Sequence, residues 1–160
     1  MVVVGSLSPL SQQQVEQLAQ RFPLPRLEVS AQGRLELDQT VQELVLVTWA
    51  RGVGEFFQAS TPLERVSLGQ QLVNRLGQAV AALAEGRGLK GLVLTGGDTT
   101  LAVCRALGAV GLQPWTEVEP GIPFSSLVGG AYAGTFVLTK PGGFGHPLSL
   151  VRCVEFLLGR

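Results

Sequence analysis

LVLTGGDTTLAVCRALG, residues 92–108, decides the fold of this chain. Leu92, Val93 and Leu94 form an apolar run that stops at Thr95, two glycines, an aspartate and two threonines. Leu101, Cys104 and Leu107 then recur at helical spacing and Gly108 closes the segment, so the stretch reads as strand, tight turn and helix. The turn places two residues without side chains, a carboxylate and two hydroxyls where a helix N-terminus points its N–H groups outward.

The same alternation extends in both directions. VVVG (2–5) is a short buried strand, followed by the loop SLSPL and a helix in which Ser11 and Gln14 fit an S/T-x-x-E/Q capping box. Val15, Leu18, Ala19 and Phe22 form its apolar stripe and Pro23 ends it. RLEVS (26–30) is a second strand. Residues 38–51 read either way: LVLVTW suits a strand, whereas Val41, Leu44, Val45, Thr48 and Trp49 suit a helix. Helix is the choice here, because an extended EFFQAS (55–60) follows. A long helix is expected from about Leu63 to Glu85, with Leu72, Val73, Leu76, Val80 and Leu83 on one face. Beyond residue 108, Leu112–Val118 reads as a strand, EPGIPF as a loop and TFVLTK as a strand. PGGFGHP is a glycine-rich turn into a last helix carrying Leu150, Val151, Val154, Leu157 and Leu158. The pattern predicts an α/β fold, a single three-layer domain with a mostly parallel central sheet and helices on both faces.

Composition agrees and excludes several function classes. The 160 residues are 46% hydrophobic and 15% charged, enough apolar content for one substantial core, and the net charge is zero. No basic stripe marks a nucleic-acid or anionic-membrane partner. No apolar run is long enough to span a bilayer, and the start, MVVVGSLSP, lacks a basic signal-type region, so a cytoplasmic location is expected. Cys104 and Cys153 each sit on the apolar stripe of a helix and read as small core residues. Reactive groups are few: His146 is the one histidine, Asp38 and Asp98 the two aspartates, Lys90 and Lys140 the two lysines. No zinc-type spacing and no G-x-S-x-G elbow is present, and His146 before Pro147 reads as a residue leading into a helix.

In open α/β sheets ligands bind outside the carboxyl ends of the strands. GSLS, TGGDTT and KPGGFG each follow a strand, so all three loops could rim one cleft. Glycines let backbone approach a ligand, and a helix N-terminus attracts anions, which makes phosphate the favoured ligand, with Lys140 as a mobile cation beside it. Neither a P-loop nor a G-x-G-x-x-G fingerprint occurs.

GSLSPLSQQQ, LTGGDTTLAVCRALG, EVEPGIPF and LTKPGGFGHP, in this order and spacing, resemble the nucleotide-binding C-terminal domain of the four-carbon acid sugar kinases, the threonate and erythronate kinases. The resemblance covers nearly the whole chain. It implies ATP with magnesium as ligand, and carried over by matching residues it implicates Ser6, Ser8, Gly96, Gly97, Asp98, Thr99, Gly142 and Gly143, to which the physical reading adds Lys140. Thr99 and the turn amides would bind phosphate oxygens, and Asp98 would face magnesium or its waters. Pro141 and His146 depart from the family's usual residues in the last loop.

The family's kinases carry a sugar-acid-binding N-terminal half that has no counterpart in these 160 residues. The expectation is therefore a nucleotide-binding domain over residues 1–160, the ATP-binding half of a sugar-acid kinase, without turnover on its own. Its expected partners are a separate sugar-acid-binding domain or chain, or a second copy in a homodimer. The alternative is a stand-alone nucleotide-binding or regulatory module that has lost kinase activity. An unrelated α/β enzyme is disfavoured, because few acid–base residues are left once Asp98 is assigned to the nucleotide.

Overall fold

The computed structural model describes residues 1–37, 44–50, 52–54 and 61–159. Eight strands form one sheet in the order β3-β2-β4-β1-β5-β8-β7-β6. They are β1 (Val2–Val4), β2 (Arg26–Val29), β3 (Leu35–Leu37), β4 (Leu46–Trp49), β5 (Gly91–Thr95), β6 (Gly111–Glu119), β7 (Ile122–Val128) and β8 (Phe136–Lys140). The five central strands, β2, β4, β1, β5 and β8, run parallel, and antiparallel pairs lie only at the two margins.

Among the described residues four helices with both ends described cover the sheet: α1 (Pro9–Arg21), α2 (Pro62–Arg87), α3 (Gly97–Ala106) and α4 (Ser149–Leu157). Strand periodicity assigns them to faces. Val2, Val4, Val93 and Leu138 pack with Val15 and Leu18 of α1, its C-cap Phe22, and Leu150 and Val154 of α4. The alternate residues Val3, Leu92, Leu94 and Val137 pack with Leu72, Leu76 and Val80 of α2 and Val103 of α3. Two apolar layers therefore flank the sheet, as the strand and helix alternation predicts. Cys104 and Cys153 lie buried, one in each layer, as free thiols, and burial pushes Cys153 up to about 12.

Three expectations are corrected. The first helix is capped not at Ser11 but at Ser8, whose side chain accepts a hydrogen bond from the Ser11 amide, with Pro9 opening the helix. The Ser-Pro pair was the operative signal, since proline suits the first helical position. The stretch chosen as helix contains β4: Val45 to Trp49 are all buried, and a strand covered on both faces shows no alternation to betray it. The remainder of that choice, residues 38–43 and 51, and the extended EFFQAS lie outside the described residues. EPGIPF, read as a loop, holds only a two-residue turn, Pro120–Gly121, before β7 begins at Ile122. Gly121 has φ +78°, the position at which a Pro-Gly turn needs a glycine. Pro123 is accommodated beside an irregularity in the β6–β7 ladder, where a missing N–H costs least.

Helix α2 begins with a true capping box, Thr61 and Glu64 exchanging side-chain to backbone hydrogen bonds after which Pro62 opens the helix. Its first turns are exposed, and burial starts at Leu72. There Gly77 lets α2 rest directly on α3: a Cβ at this position would lie 2.6 Å from the Ala102 carbonyl oxygen. Gly77→Ala is therefore expected to destabilise the fold, overpacking of about 1–3 kcal/mol outweighing a helix-propensity gain of at most about 1 kcal/mol. Urea denaturation showing an unchanged or raised midpoint would contradict this packing account.

Candidate functional site

β1 and β5 are adjacent parallel strands, yet the helices that follow them, α1 and α3, lie on opposite faces. Such a divergence opens a crevice at the carboxyl ends of the strands. Three turns meet there, 5–8 after β1, 96–97 after β5 and 141–148 after β8. They are tied together. The Gly96 amide donates to the Lys140 carbonyl at 2.8 Å, joining the β5 and β8 ends. Ser11 Oγ donates to the Gly142 carbonyl at 2.6 Å, and Ser8 Oγ lies 3.0 Å from the same oxygen, joining the β1 and β8 loops. Trp49 of β4 steadies the first loop by donating to the Gly5 carbonyl at 3.0 Å.

The residues singled out from sequence fall into three groups. Gly97 and Gly143 face open space, with no atom within 4 Å of a built Cβ, and Asp98 is exposed in the first turn of α3. The first α3 amides have no intrahelical acceptors, and Gly97 at that end lines the cleft. Ser6, Ser8 and Gly142 are bonded or packed against one another: Ser6 Oγ donates to Ser8 Oγ at 3.2 Å, and a side chain at Gly142 would collide with Ser6. Thr99 is buried with its hydroxyl against Gly5 and beside Gly96, which explains glycine at both positions. Gly96 also has φ +104°.

Lys140 differs from expectation. It is not a mobile cation but is 1% exposed, and its Nζ donates to the carbonyls of Pro141 (2.8 Å), Phe144 (3.0 Å) and Gly142 (3.4 Å). Its side chain projects from the last residue of β8 onto the α1–α4 face, beneath the glycine loop, and burial pushes its pKa down against the opposing influence of Cys153 and Glu119. Gln14, read from sequence as a cap, is also fully buried and donates to the carbonyls of His146 (2.9 Å) and Phe144 (3.2 Å). Only the three-dimensional proximity of α1 to the β8 loop reveals that role.

Sequence reasoning also missed a cleft of about 710 Å³ that starts at Gly97 and Pro141 and runs along the outer face of α3 past Leu101 and Cys104 to Val110 and Leu112. Its far end is apolar, and at its near end it reaches the turns after β5 and β8 at Gly97, Lys140 and Pro141. The available signal was the spacing of Gly97, Leu101 and Arg105, one helix face that the core does not use. Among the described residues no group of three His, Cys, Asp or Glu side chains could hold a metal ion, and no helix is long and apolar enough to cross a membrane.

The far end of the loop is latched by Glu119. Its carboxylate accepts from Ser149 Oγ (2.7 Å), from His146 Nε2 (3.0 Å) and from Arg152 (3.1 Å). His146 Nδ1 accepts from the Leu148 amide, which leaves the ring proton on Nε2. Burial would raise the Glu119 pKa, but the Ser149 and Arg152 hydrogen bonds and the His146 ring together hold it below the ordinary carboxylate value. A carboxyl depressed in the folded state stabilises above its unfolded pKa, about 4.3, and that contribution fades as the pH falls through the folded value. Glu119→Gln should therefore be less stable than the wild type at pH 7, with the gap in melting temperature narrowing toward pH 3. A gap independent of pH would show that the charge contributes nothing.

Comparison with known proteins places this geometry. The description "Nucleotide-binding C-terminal domain" matches residues 1–150. A D-threonate kinase of Bordetella bronchiseptica is 42% identical over 89 residues, covering 56% of this chain and 22% of that protein. A D-erythronate kinase of Heliobacterium modesticaldum is 28% identical, covering 99% of this chain and 41% of that protein. A crystal structure of a B. bronchiseptica domain of unknown function, a domain-swapped dimer with bound citrate, superposes with a TM-score of 0.79 at 30% identity, covering 99% of this chain and 39% of that one. The chain thus spans about two fifths or less of the length of these relatives. It belongs to the nucleotide-binding C-terminal domain family, among whose members here are four-carbon acid sugar kinases.

Proposed function

We propose that the chain is the ATP-binding half of a four-carbon acid sugar kinase. The observation that carries this reading is the junction of a polar, glycine-lined crevice with an apolar cleft at the carboxyl ends of β1, β5 and β8. Phosphates would lie on the first-turn amides of α3 and against Gly97 and Gly143, the two positions that leave the approach open. The adenine ring would fill the cleft between Leu101, Cys104 and Val110. Asp98, exposed beside the crevice, is the kind of single carboxylate that magnesium takes when phosphates supply its other ligands.

Transfer to a sugar acid needs a second set of groups to bind the acceptor and hold its hydroxyl in line. Glu119, another carboxylate near the loop, is occupied by Ser149, His146 and Arg152, which among the described residues leaves Asp98 as the carboxylate at the α3 N-terminus. The acceptor site therefore belongs to a sugar-acid-binding domain outside these 160 residues, and the chain alone turns nothing over.

Calorimetry with ADP or ATP and magnesium should show binding, with a rise in melting temperature by mass action. Gly97→Val should weaken that binding about tenfold or more, a loss of about 1.4 kcal/mol or greater, while the melt of the free protein stays close to wild type. The φ of Gly97 is one any residue adopts and its Cβ would enter open space, so only the ligand is displaced. Absence of any heat or thermal shift at millimolar nucleotide would overturn the reading. Incubation with threonate or erythronate should release no ADP above background, and robust release by the chain alone would refute the assignment of acceptor chemistry to another domain.

A further inference from the structure

We propose that Lys140 and Gln14 are positioning residues, which hold the 141–146 loop in the one peptide orientation that turns its amides toward a phosphate without themselves touching the ligand. The inference rests on the nucleotide reading above and adds to it how the loop is set.

In a trans peptide unit the carbonyl of one residue and the N–H of the next point in opposite directions, and no cis peptide bond occurs among the described residues. The Pro141 carbonyl is drawn inward by Lys140, the Gly142 carbonyl by Ser11, Ser8 and Lys140, and the Phe144 carbonyl by Lys140 and Gln14. Each inward carbonyl obliges the following amide to face outward. Those amides belong to Gly142, Gly143 and Gly145, and none of the three donates to an acceptor among the described residues. The intervening peptide is turned the other way, the Phe144 amide donating inward to the Pro141 carbonyl at 3.2 Å. The fourth captured carbonyl, that of His146, precedes Pro147, which has no amide to present. The set of captured carbonyls therefore selects a set of three outward donors, all on glycines.

Two features tie this work to the loop rather than to general packing. The Gln14 amide nitrogen makes both of its bonds to loop carbonyls, while its Oε1 is buried without a protein partner. The Lys140 ammonium makes all of its hydrogen bonds to loop carbonyls, and the carboxylate nearest in influence, Glu119, is engaged by Ser149, His146 and Arg152. A buried ammonium is costly unless such partners surround it, and here the loop carbonyls do.

The test is titration of adenosine, ADP and ATP, with magnesium, into the wild-type chain, Lys140→Met and Gln14→Leu. With loop carbonyls released, each variant should lose about tenfold or more in ADP and ATP affinity while adenosine affinity stays within about twofold, because adenosine does not reach the loop. Equal losses for adenosine and ADP would reduce both residues to structural roles. A loss in Lys140→Met with none in Gln14→Leu would make Lys140 a phosphate ligand instead, and either outcome overturns the inference while leaving nucleotide binding in place. A wild-type chain that binds none of the three ligands overturns the nucleotide reading as well. Should the variants fail to fold, nitrogen-15 spectra of the wild type decide: ADP must shift the Gly142, Gly143 and Gly145 amides well beyond any shift that adenosine causes, and unmoved amides overturn the proposal.

Discussion

A buried ammonium at the end of β8 is the constraint around which the carboxyl side of this molecule is arranged. Lys140 lies under the glycine loop at 1% exposure, where a charge is tolerated only if dipoles converge on it. The loop supplies them by folding back over its own first residue, so that three carbonyls meet one nitrogen. That curl carries Gly142 onto Ser6 and within reach of Ser8 and Ser11. The β1 turn, the α1 N-terminus and the β8 turn consequently behave as one unit, and the Gly96 amide bound to the Lys140 carbonyl adds the β5 turn. A lysine that looks from sequence like a ligand for phosphate is better understood as an internal counter-charge for peptide dipoles.

The glycines of the motifs divide on physical grounds that the letters alone do not reveal. At Gly5 and Gly142 a side chain would collide with Thr99 and Ser6, and at Gly96 the positive φ adds a second reason. Those glycines admit neighbouring protein. Gly97 and Gly143 have nothing against them and ordinary φ values, so no demand of the fold explains them. On the proposed reading, a glycine at a position where the fold does not need one leaves room for the phosphate to come close. The separation falls within a single GG pair: Gly96 serves the fold, and Gly97 is free to serve the proposed ligand.

The strand and helix alternation, both faces of the sheet and the meeting of three turns were legible in the sequence because each depends on local periodicity and local turn chemistry. β4 was not, since burial on both faces removes the alternation that marks a strand. β7 was hidden by prolines on either side of Gly121, although Pro-Gly between two apolar runs is also what a tight hairpin requires. The roles of Gln14, Glu119 and Lys140 were illegible for a different reason. Gln14 reaches His146 and Glu119 reaches Arg152, elements distant in the chain, and a single sequence holds no record of such pairs. Lys140 instead bonds its own loop, and only the burial of its side chain under that loop shows its role.

The distribution of polar groups on the crevice bears on what the proposed kinase half can do alone. Donors for an anion are plentiful there: α3 amides, loop amides and the helix N-terminus itself. Among the described residues the loop carbonyls of Pro141 and Phe144 are turned inward and Glu119 is bound on both oxygens, which leaves the Asp98 carboxylate exposed as an acceptor. Within the kinase proposal this sorting suits stabilising negative charge on a transferring phosphoryl group, while binding the sugar acid and activating its hydroxyl are assigned to the other domain. On the proposed reading the two tasks are divided between domains, with electrostatic stabilisation of the donor placed here on a rigid, internally satisfied frame. Acceptor selection is then free to vary elsewhere, and the relatives named for threonate and for erythronate differ in that acceptor.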